Sequence, residues 1–160
     1  MPPLTIPVLT PAEAAAWDAR ADAAGVSPDL LMASAGRAVA SVLLDRFPHA
    51  ARQGVLIAAG AGNNGGDGWV LFRTLPRLGV PVWVAAVPGE RSALAEDARR
   101  LAASDGVREV PGDGPWPSVG LAVDALLGTG ARGAPRAPVA ALLDRIADLR
   151  VPVVAVDGPT

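Results

Sequence analysis

The hydrophobic pattern of the chain changes character near residue 54. Before that point, Thr10-Pro11-Ala12-Glu13 and Ser27-Pro28-Asp29 carry helix-start signals, in which a hydroxyl cap precedes a proline. The first signal predicts a helix that ends near Gly25, and the second predicts a longer helix that ends at Pro48. We expect the buried stripe of the longer helix to follow its apolar positions at helical spacing, which are Leu31, Ala35, Ala38, Val39 and Val42.

From residue 54 onward, short apolar runs alternate with longer amphipathic segments. The runs predict strands at 54–59, 80–87, 107–110, 119–124 and 151–156. The amphipathic segments predict helices at 67–78, 91–104 and 137–149. Most of the strands are continuously apolar, which is typical of parallel strands covered on both faces. We therefore predict one α/β domain over residues 1–160, a doubly wound, mostly parallel sheet with helices on both faces and an N-terminal helical extension.

Each predicted helix has an expected buried stripe. The expected positions are Leu71, Leu75 and Leu78, then Leu94, Ala98 and Leu101, and finally Val139, Leu142, Leu143 and Ile146. Pro76 lies near the end of its helix and is expected to kink or shorten it.

Composition narrows the classes of function. With 160 residues, of which 51% are hydrophobic, the chain is long enough to bury a core. A net charge of -2 gives no reason to expect nucleic acid or an anionic membrane as a partner. Cysteine is absent, which excludes disulfides and thiolate chemistry. No run approaches the roughly 20 apolar residues of a membrane span, and the first residues lack a secretory pattern, so we expect a cytoplasmic protein.

The densest polar chemistry lies in residues 60–68, the asparagine–glycine segment, which reads Gly60-Ala61-Gly62-Asn63-Asn64-Gly65-Gly66-Asp67-Gly68. Its glycines allow a sharp turn and a close approach to a ligand, and amides at the following helix start suit an anion. A turn needs glycine only, so the chain's two asparagines favour a binding site. Asp67 is predicted at the helix start, where a cap contributes about 1 kcal/mol.

Polar segments follow two other predicted strands. Asp124 ends one strand and is followed by residues 127–133, the glycine–threonine segment, while Asp157 and Thr160 follow the last strand. Ligands of doubly wound sheets bind beyond the carboxyl ends of the strands, where the strand order reverses. Asp124 ends an apolar run, where a carboxylate needs a partner or a function. Thr129 is as compatible with a simple turn as with a binding role, and Arg132 is as compatible with a solvated surface charge as with a binding role.

These segments resemble the signatures of the NAD(P)H-hydrate epimerase family, the YjeF-type N-terminal domain. The resemblance lies in residues 55–68, 123–130 and 154–160, with a further helical match at 30–36. It implies a Rossmann-like fold and interconversion of the R and S forms of hydrated NADH and NADPH, which form when water adds to the nicotinamide ring. It also implies an ADP/ATP-dependent dehydratase, fused or separate, that uses the S form. A homodimer is left open.

By motif position, the resemblance also implies a set of functional residues. Substrate would be contacted by Asn63, Asn64, Gly65, Gly66, Asp67, Gly128, Thr129, Gly130, Ala131, Arg132, Gly133, Ala134 and Asp157. A potassium ion would be bound by Asn64, Asp124 and Thr160, whose oxygens suit a hard cation. Since epimerisation plausibly needs a proton transfer, we hypothesise that Asp124 is the catalytic general acid–base.

The last motif departs from the family pattern. The family usually has Asp-hydrophobic-Pro-Ser-Gly, whereas this chain has Asp157-Gly158-Pro159-Thr160. Family domains continue with further strands and helices, so we expect a domain truncated on its C-terminal side. Its last strand would then have an exposed edge.

Two other classes of function stay open. Gly60-x-Gly62-x-x-Gly65 satisfies the dinucleotide fingerprint of an NAD(P)-dependent oxidoreductase. That class expects an acidic residue at the end of the next strand, and Glu90 lies slightly beyond it; Asp67 at the helix start would also repel the pyrophosphate. A non-catalytic binding or scaffold module would not need Asn64, Asp67, Asp124 and Asp157 together. We disfavour both.

Overall fold

Strands and helices alternate along most of the chain in the computed structural model, which describes residues 9–106 and 108–160. The helices are α1 (Pro11–Ala23), α2 (Pro28–Arg46), α3 (Pro48–Arg52), α4 (Asn63–Thr74), α5 (Ala93–Ser104) and α6 (Ala137–Asp148), with a 3-10 turn at Pro76–Leu78. The strands are β1 (Val55–Ala59), β2 (Val82–Ala86), β3 (Leu121–Ala125) and β4 (Val153–Ala155). Both N-terminal helices begin as predicted, and α1 has a complete capping box between Thr10 and Glu13.

The strands form one parallel sheet in the order β2-β1-β3-β4. The chain moves outward from β1 to β2 and then returns to the other side of β1 for β3. The strand order therefore reverses between β1 and β3, whose last residues Ala59 and Ala125 are paired in register. The doubly wound fold is confirmed, and its switch point lies beyond these two residues.

Helices cover both faces of the sheet, because alternate side chains of a buried strand point to opposite faces. Val55, Ile57 and Ala59 of β1 pack in one cluster with side chains of α2, α4 and α5. Ala58 lies in a second cluster, on the face covered by α6. The predicted inward side of α6 is confirmed: Val139, Leu142 and Ile146 are buried and Leu143 is partly buried.

The predicted stripe of α2 is wrong by about one residue. The buried positions are Met32, Gly36, Ala40 and Leu43, whereas Val42 is 51% exposed. A Cβ on Gly36 would lie 2.6 Å from the Cβ of Val70 in α4. The two helices therefore touch through the small residues of α2. As a result, larger side chains of the predicted stripe, such as Val42, face away from the core.

The start of α4 and its last expected buried position were also predicted wrongly. The helix begins at Asn63 instead of residue 67, so the asparagines form its first turn. It ends at Thr74, just before Pro76, as the missing proline N–H predicts. Leu71 and Leu75 are buried, but Leu78 is 55% exposed in the 3-10 turn.

In α5 the buried face consists of alanines. Ala95, Ala98 and Ala102 are buried, while Leu101, expected on this face, is 53% exposed. The Cα of Ala95 lies 3.4 Å from the position of a Cβ on Gly66. The close approach of α5 to α4 leaves room for alanine and excludes leucine.

The sequence did not predict α3, in which His49 is exposed. Two strands also differ from expectation. The predicted strand 107–110 begins at a position outside the described residues, and Glu109 makes only an isolated parallel bridge to Val84. β4 is shorter than predicted, and Val153 is 46% exposed. In the described ranges, each helix is too short or too polar to cross a membrane.

Candidate functional site

The N-terminus of α4 opens at the switch point of the sheet. Gly62 is its N-cap residue, and none of the described side chains caps it. The first amide bonded back to this end is that of Gly66, which donates to the carbonyl of Gly62 at 3.2 Å. The amides of Asn63, Asn64 and Gly65 have no intrahelical acceptor, as in any first turn. This helix end can therefore donate to an anion.

The glycines inside α4 serve packing. A Cβ on Gly65 would lie 2.0 Å from the carbonyl oxygen of Gly60, and one on Gly68 would lie 3.0 Å from the Cβ of Ala125. Both positions face the protein interior and let the helix lie directly against the ends of β1 and β3. The groups that can approach a ligand here are therefore the amides of the helix end and the asparagines, and not the glycines inside the helix.

Asn64 is the most unusual side chain of this region. It is 5% exposed, and neither its Oδ1 nor its Nδ2 has a hydrogen-bond partner within the described residues. An unpaired buried amide costs about 1–3 kcal/mol, so such groups need an explanation. A Cβ on Gly128 would lie 3.3 Å from the Cβ of Asn64 and 2.9 Å from Oδ2 of Asp157. Gly128 thus lets three segments from different strand ends meet.

Asp124 is buried at the end of β3 but is well partnered. Its Oδ1 accepts the Leu126 N–H at 3.1 Å and the Thr160 hydroxyl at 2.9 Å, and its Oδ2 accepts the Thr160 N–H at 2.9 Å. The Thr160 hydroxyl also accepts the Leu127 N–H at 3.1 Å. Bonds of this kind allow a carboxylate to be buried. Threonine supplies the hydroxyl expected at this position of the motif.

Asp67 lies one turn inside α4, so it is neither a cap nor at the helix start. Because Asp67 is one turn away from the free amides of the helix end, the repulsion of a pyrophosphate expected from a carboxylate at the helix start does not apply. Burial raises the pKa of its carboxyl to about 7, with further contributions from the negative charges of Asp157 and Asp18. Asp157 has a left-handed backbone with φ of 65°. An acidic group with a pKa this high exchanges protons near neutrality.

A cleft of about 770 Å³ opens beside the helix end. This volume is in the range of small-molecule sites. Of the proposed site residues, it is lined by Asn63, Asn64, Gly128, Thr129, Gly130, Ala131, Arg132, Gly133, Ala134 and Asp157. Three further lining residues, Ala61, Gly62 and Leu127, belong to the two segments that the sequence singled out, and Glu90 was considered only for an oxidoreductase. The lining residues that the sequence analysis missed are Val87, Pro88, Leu126, Pro135, Arg136, Pro138 and Val139.

For some of the other lining residues, the sequence did carry a signal. Val87, Pro88 and Glu90 follow β2, whose carboxyl end lies at the same sheet edge as the other two. Applying the strand-end rule to this strand would have found them. Gly65, Gly66 and Asp67 are not among the residues that line the cleft. Asp124 and Thr160 are not among them either, but they accept hydrogen bonds from the N–H groups of Leu126 and Leu127, which are. Contact of Gly65, Gly66 and Asp67 with substrate stays a prediction.

A parallel, doubly wound sheet with an open helix end and a cleft at its switch point defines a domain of the Rossmann-like α/β class. The family described as "YjeF-related protein N-terminus" matches residues 28–160. The chain belongs to this family, and the resemblance seen in its motifs is confirmed.

Several relatives align over most of this chain. The "Bifunctional NAD(P)H-hydrate repair enzyme Nnr" of Escherichia coli is 38% identical over 88% of the chain, which covers 27% of that protein. The "NAD(P)H-hydrate epimerase" of Pirellula staleyi is 37% identical over 82% of the chain, which covers 61% of that protein. The crystal structure of yeast ynu0 superposes with a TM-score of 0.80 at 26% identity, over 97% of this chain and 71% of the yeast chain. The chain thus spans about a quarter of the bifunctional relatives.

Proposed function

We propose that this domain is an NAD(P)H-hydrate epimerase, an enzyme that interconverts the R and S forms of hydrated NADH and NADPH. The names of its relatives supply the substrate class. The observation that carries the proposal is the buried amide of Asn64, whose donor and acceptor are both unpaired in the described part of the chain. Asn64 belongs to the first turn of α4 and lies, like Asp157, beside Gly128 at the cleft, where a polar ligand would satisfy its amide.

The cleft suits the two kinds of surface that a dinucleotide presents. Val87, Leu126 and Val139 give it apolar walls for flat rings. The amides of the α4 N-terminus suit the pyrophosphate. Arg132 and Arg136 line the same cleft and add positive charge. In this proposal the glycine–threonine segment, Ala134 and Asp157 complete the substrate pocket.

The residues proposed for potassium fit a hard cation. Asn64 offers a buried carbonyl oxygen that receives no donor from the described residues, and the carboxylate of Asp124 is bonded to the hydroxyl of Thr160. These oxygens are the ligand type that such ions take. A bound ion would supply positive charge to offset the carboxylates of the site.

Epimerisation inverts a carbon that bears a hydroxyl and the ring nitrogen. A proton must be delivered as the hydroxyl leaves or the ring opens, and it must be taken back when the bond re-forms. We assign this role to Asp124, whose carboxylate is held in one orientation by Thr160 and Leu126. Fixed geometry favours proton transfer, because the acid need not reorganise during the reaction.

Three further assignments belong to the proposal. A dehydratase, fused or separate, would consume the S form, which agrees with the word "bifunctional" in the names of several relatives. A homodimer would cover exposed apolar side chains such as Trp17 and Val42. The cytoplasm would be the location, because hydrated cofactors form where reduced dinucleotides are kept.

The test is direct conversion of the isolated R form of hydrated NADPH to the S form, followed by chromatography. We expect conversion that is faster with potassium than with an equal concentration of a large organic cation. Asp124→Asn should lower the rate by about a hundredfold or more, as loss of a general acid–base does. A folded protein that converts neither form would refute the epimerase function, and near-normal rates for Asp124→Asn would refute its catalytic role.

The oxidoreductase alternative has one observation in its favour, since Glu90 lines the cleft after β2. The names of the relatives do not support it. The same preparation should therefore leave the nicotinamide absorbance of NADPH unchanged when simple carbonyl compounds are offered as hydride acceptors.

A further inference from the structure

Ser92 ties the start of α5 to the asparagine–glycine segment. Its N–H donates to the carbonyl of Ala61 at 2.9 Å, and its hydroxyl donates to Oδ1 of Asn63 at 2.8 Å. Ser92 is also the N-cap of α5, where its Oγ accepts the N–H of Ala95 at 3.3 Å. One small side chain thus contacts the beginnings of two helices.

In the structure these bonds leave the nitrogen end of the Asn63 amide free. The serine hydroxyl directs its single hydrogen at Oδ1 of Asn63 while Oγ accepts from Ala95. With its oxygen bonded to Ser92, the amide has the two hydrogens of Nδ2 left for the cleft that Asn63 lines. Without the hydroxyl, the amide can turn over and present an acceptor to the cleft, because its two ends are nearly equal in shape.

We propose that Ser92 is a positioning residue that holds Nδ2 of Asn63 as a donor to the pyrophosphate of the bound dinucleotide. The inference rests on the proposed function, which supplies a dinucleotide as the ligand. Asn63 is the first residue of α4, so its side-chain donor lies beside the open amides of that helix end. An anion at this end meets donors from both sources. A reversed amide would instead direct its oxygen toward the negative phosphates.

The first test compares three substitutions of Ser92 in steady-state epimerisation. Ser92→Ala should raise KM about tenfold with little change in kcat, because the lost interaction is with a part of the substrate that does not react. Ser92→Gly keeps most of the capping preference without the hydroxyl and should behave in the same way. Ser92→Thr keeps the hydroxyl and should restore KM. An unchanged KM in Ser92→Ala would overturn the proposal.

A double-mutant cycle with Asn63→Ala separates positioning from capping. With the amide removed, Ser92→Ala should not raise KM any further. If Ser92→Ala raises KM by the same factor in both backgrounds, Ser92 acts through α5 alone and the proposal is wrong. Urea unfolding reports the capping contribution alone in the Asn63→Ala background, because the hydrogen bond between Ser92 and Asn63 is already absent there.

The same cycle can be measured without turnover. NADPH carries the same pyrophosphate, so its Kd, from titration calorimetry, should show the same coupling between Ser92 and Asn63. Coupling in Kd without any conversion of hydrated NADPH would contradict the epimerase function and leave the role of Ser92 intact. Normal conversion with an uncoupled Kd would contradict the role of Ser92 alone.

Discussion

The asparagine–glycine and glycine–threonine segments look alike in sequence, yet Gly65 of the first and Gly130 of the second lie in opposite surroundings. Each follows a strand at the switch point, and β1 and β3 are in register. In the first segment Gly65, Gly66 and Gly68 are buried inside α4, against other parts of the protein. In the second, Gly130 is exposed and has no atom within 4 Å of a Cβ position. Glycine content therefore does not tell whether a backbone approaches a ligand or the rest of the protein.

The largest effect should come from filling the space beside Gly65. A Cβ there would lie 2.0 Å from the backbone oxygen of Gly60, which cannot rotate away. We expect Gly65→Ala to lower the free energy of unfolding by about 3 kcal/mol, the upper range for overpacking. The midpoint of urea unfolding measures it.

Gly130→Ala is the matched control in the other segment. It adds the same methyl group to open space and should change the free energy of unfolding by less than about 0.5 kcal/mol. If both substitutions cost the same, the two segments do not differ in the way that the packing indicates.

The second-largest effect should come from Asn64, and it tests whether the asparagines have a role that the neighbouring glycines do not. Asn64→Leu replaces a buried amide, unpaired among the described residues, with an apolar side chain of similar size. The free energy of unfolding should rise by about 1 kcal/mol, because the desolvation cost disappears. Epimerisation should fall about a hundredfold and lose its dependence on potassium. Lower stability together with retained activity would show that the amide has a structural role only.

Asp67 gives a smaller, pH-dependent effect. Its pKa is about 7 in the folded protein, above its ordinary value of 3.8. The folded state therefore holds the proton more tightly, so stability is full below about pH 4 and falls as the pH rises through 7. Asp67→Asn removes this loss and should raise the free energy of unfolding at pH 8 by about 1–2 kcal/mol, since partial exposure weakens the effect.

The control for Asp67 is the same comparison near pH 4, where the gain should vanish. Asp18→Asn, which removes one of the two neighbouring charges, should shift the pH dependence to lower pH. A gain from Asp67→Asn that is equal at both pH values would mean that ionisation is not its source.

The features that could be predicted from the sequence are those that depend on interactions between residues close together in the chain. Apolar runs and caps such as Thr10 are local, and they predicted the positions of the four strands and the starts of α1 and α2. The face of α2 was missed because it depends on a contact between Gly36 and Val70, which are distant in sequence. The convergence of the strand-end motifs was predicted, because parallel strands end at one edge. The roles of Gly65 and Ser92 depend on neighbours in space that no spacing rule reveals.

The smallest effect tests the departure from the family pattern at Thr160, which is bonded to Asp124 and to Leu127 of the glycine–threonine segment. The hydroxyl of Thr160 donates to Asp124 and accepts from Leu127, and a serine would make both bonds. Thr160→Ser should therefore change kcat by less than about twofold. It should change the free energy of unfolding by less than about 0.5 kcal/mol. Thr160→Val keeps the shape and the N–H bond but leaves the Leu127 N–H unpaired, which should cost about 1 kcal/mol. Equal behaviour of the two variants would show that the hydroxyl bonds of Thr160 do not contribute measurably to holding it against β3.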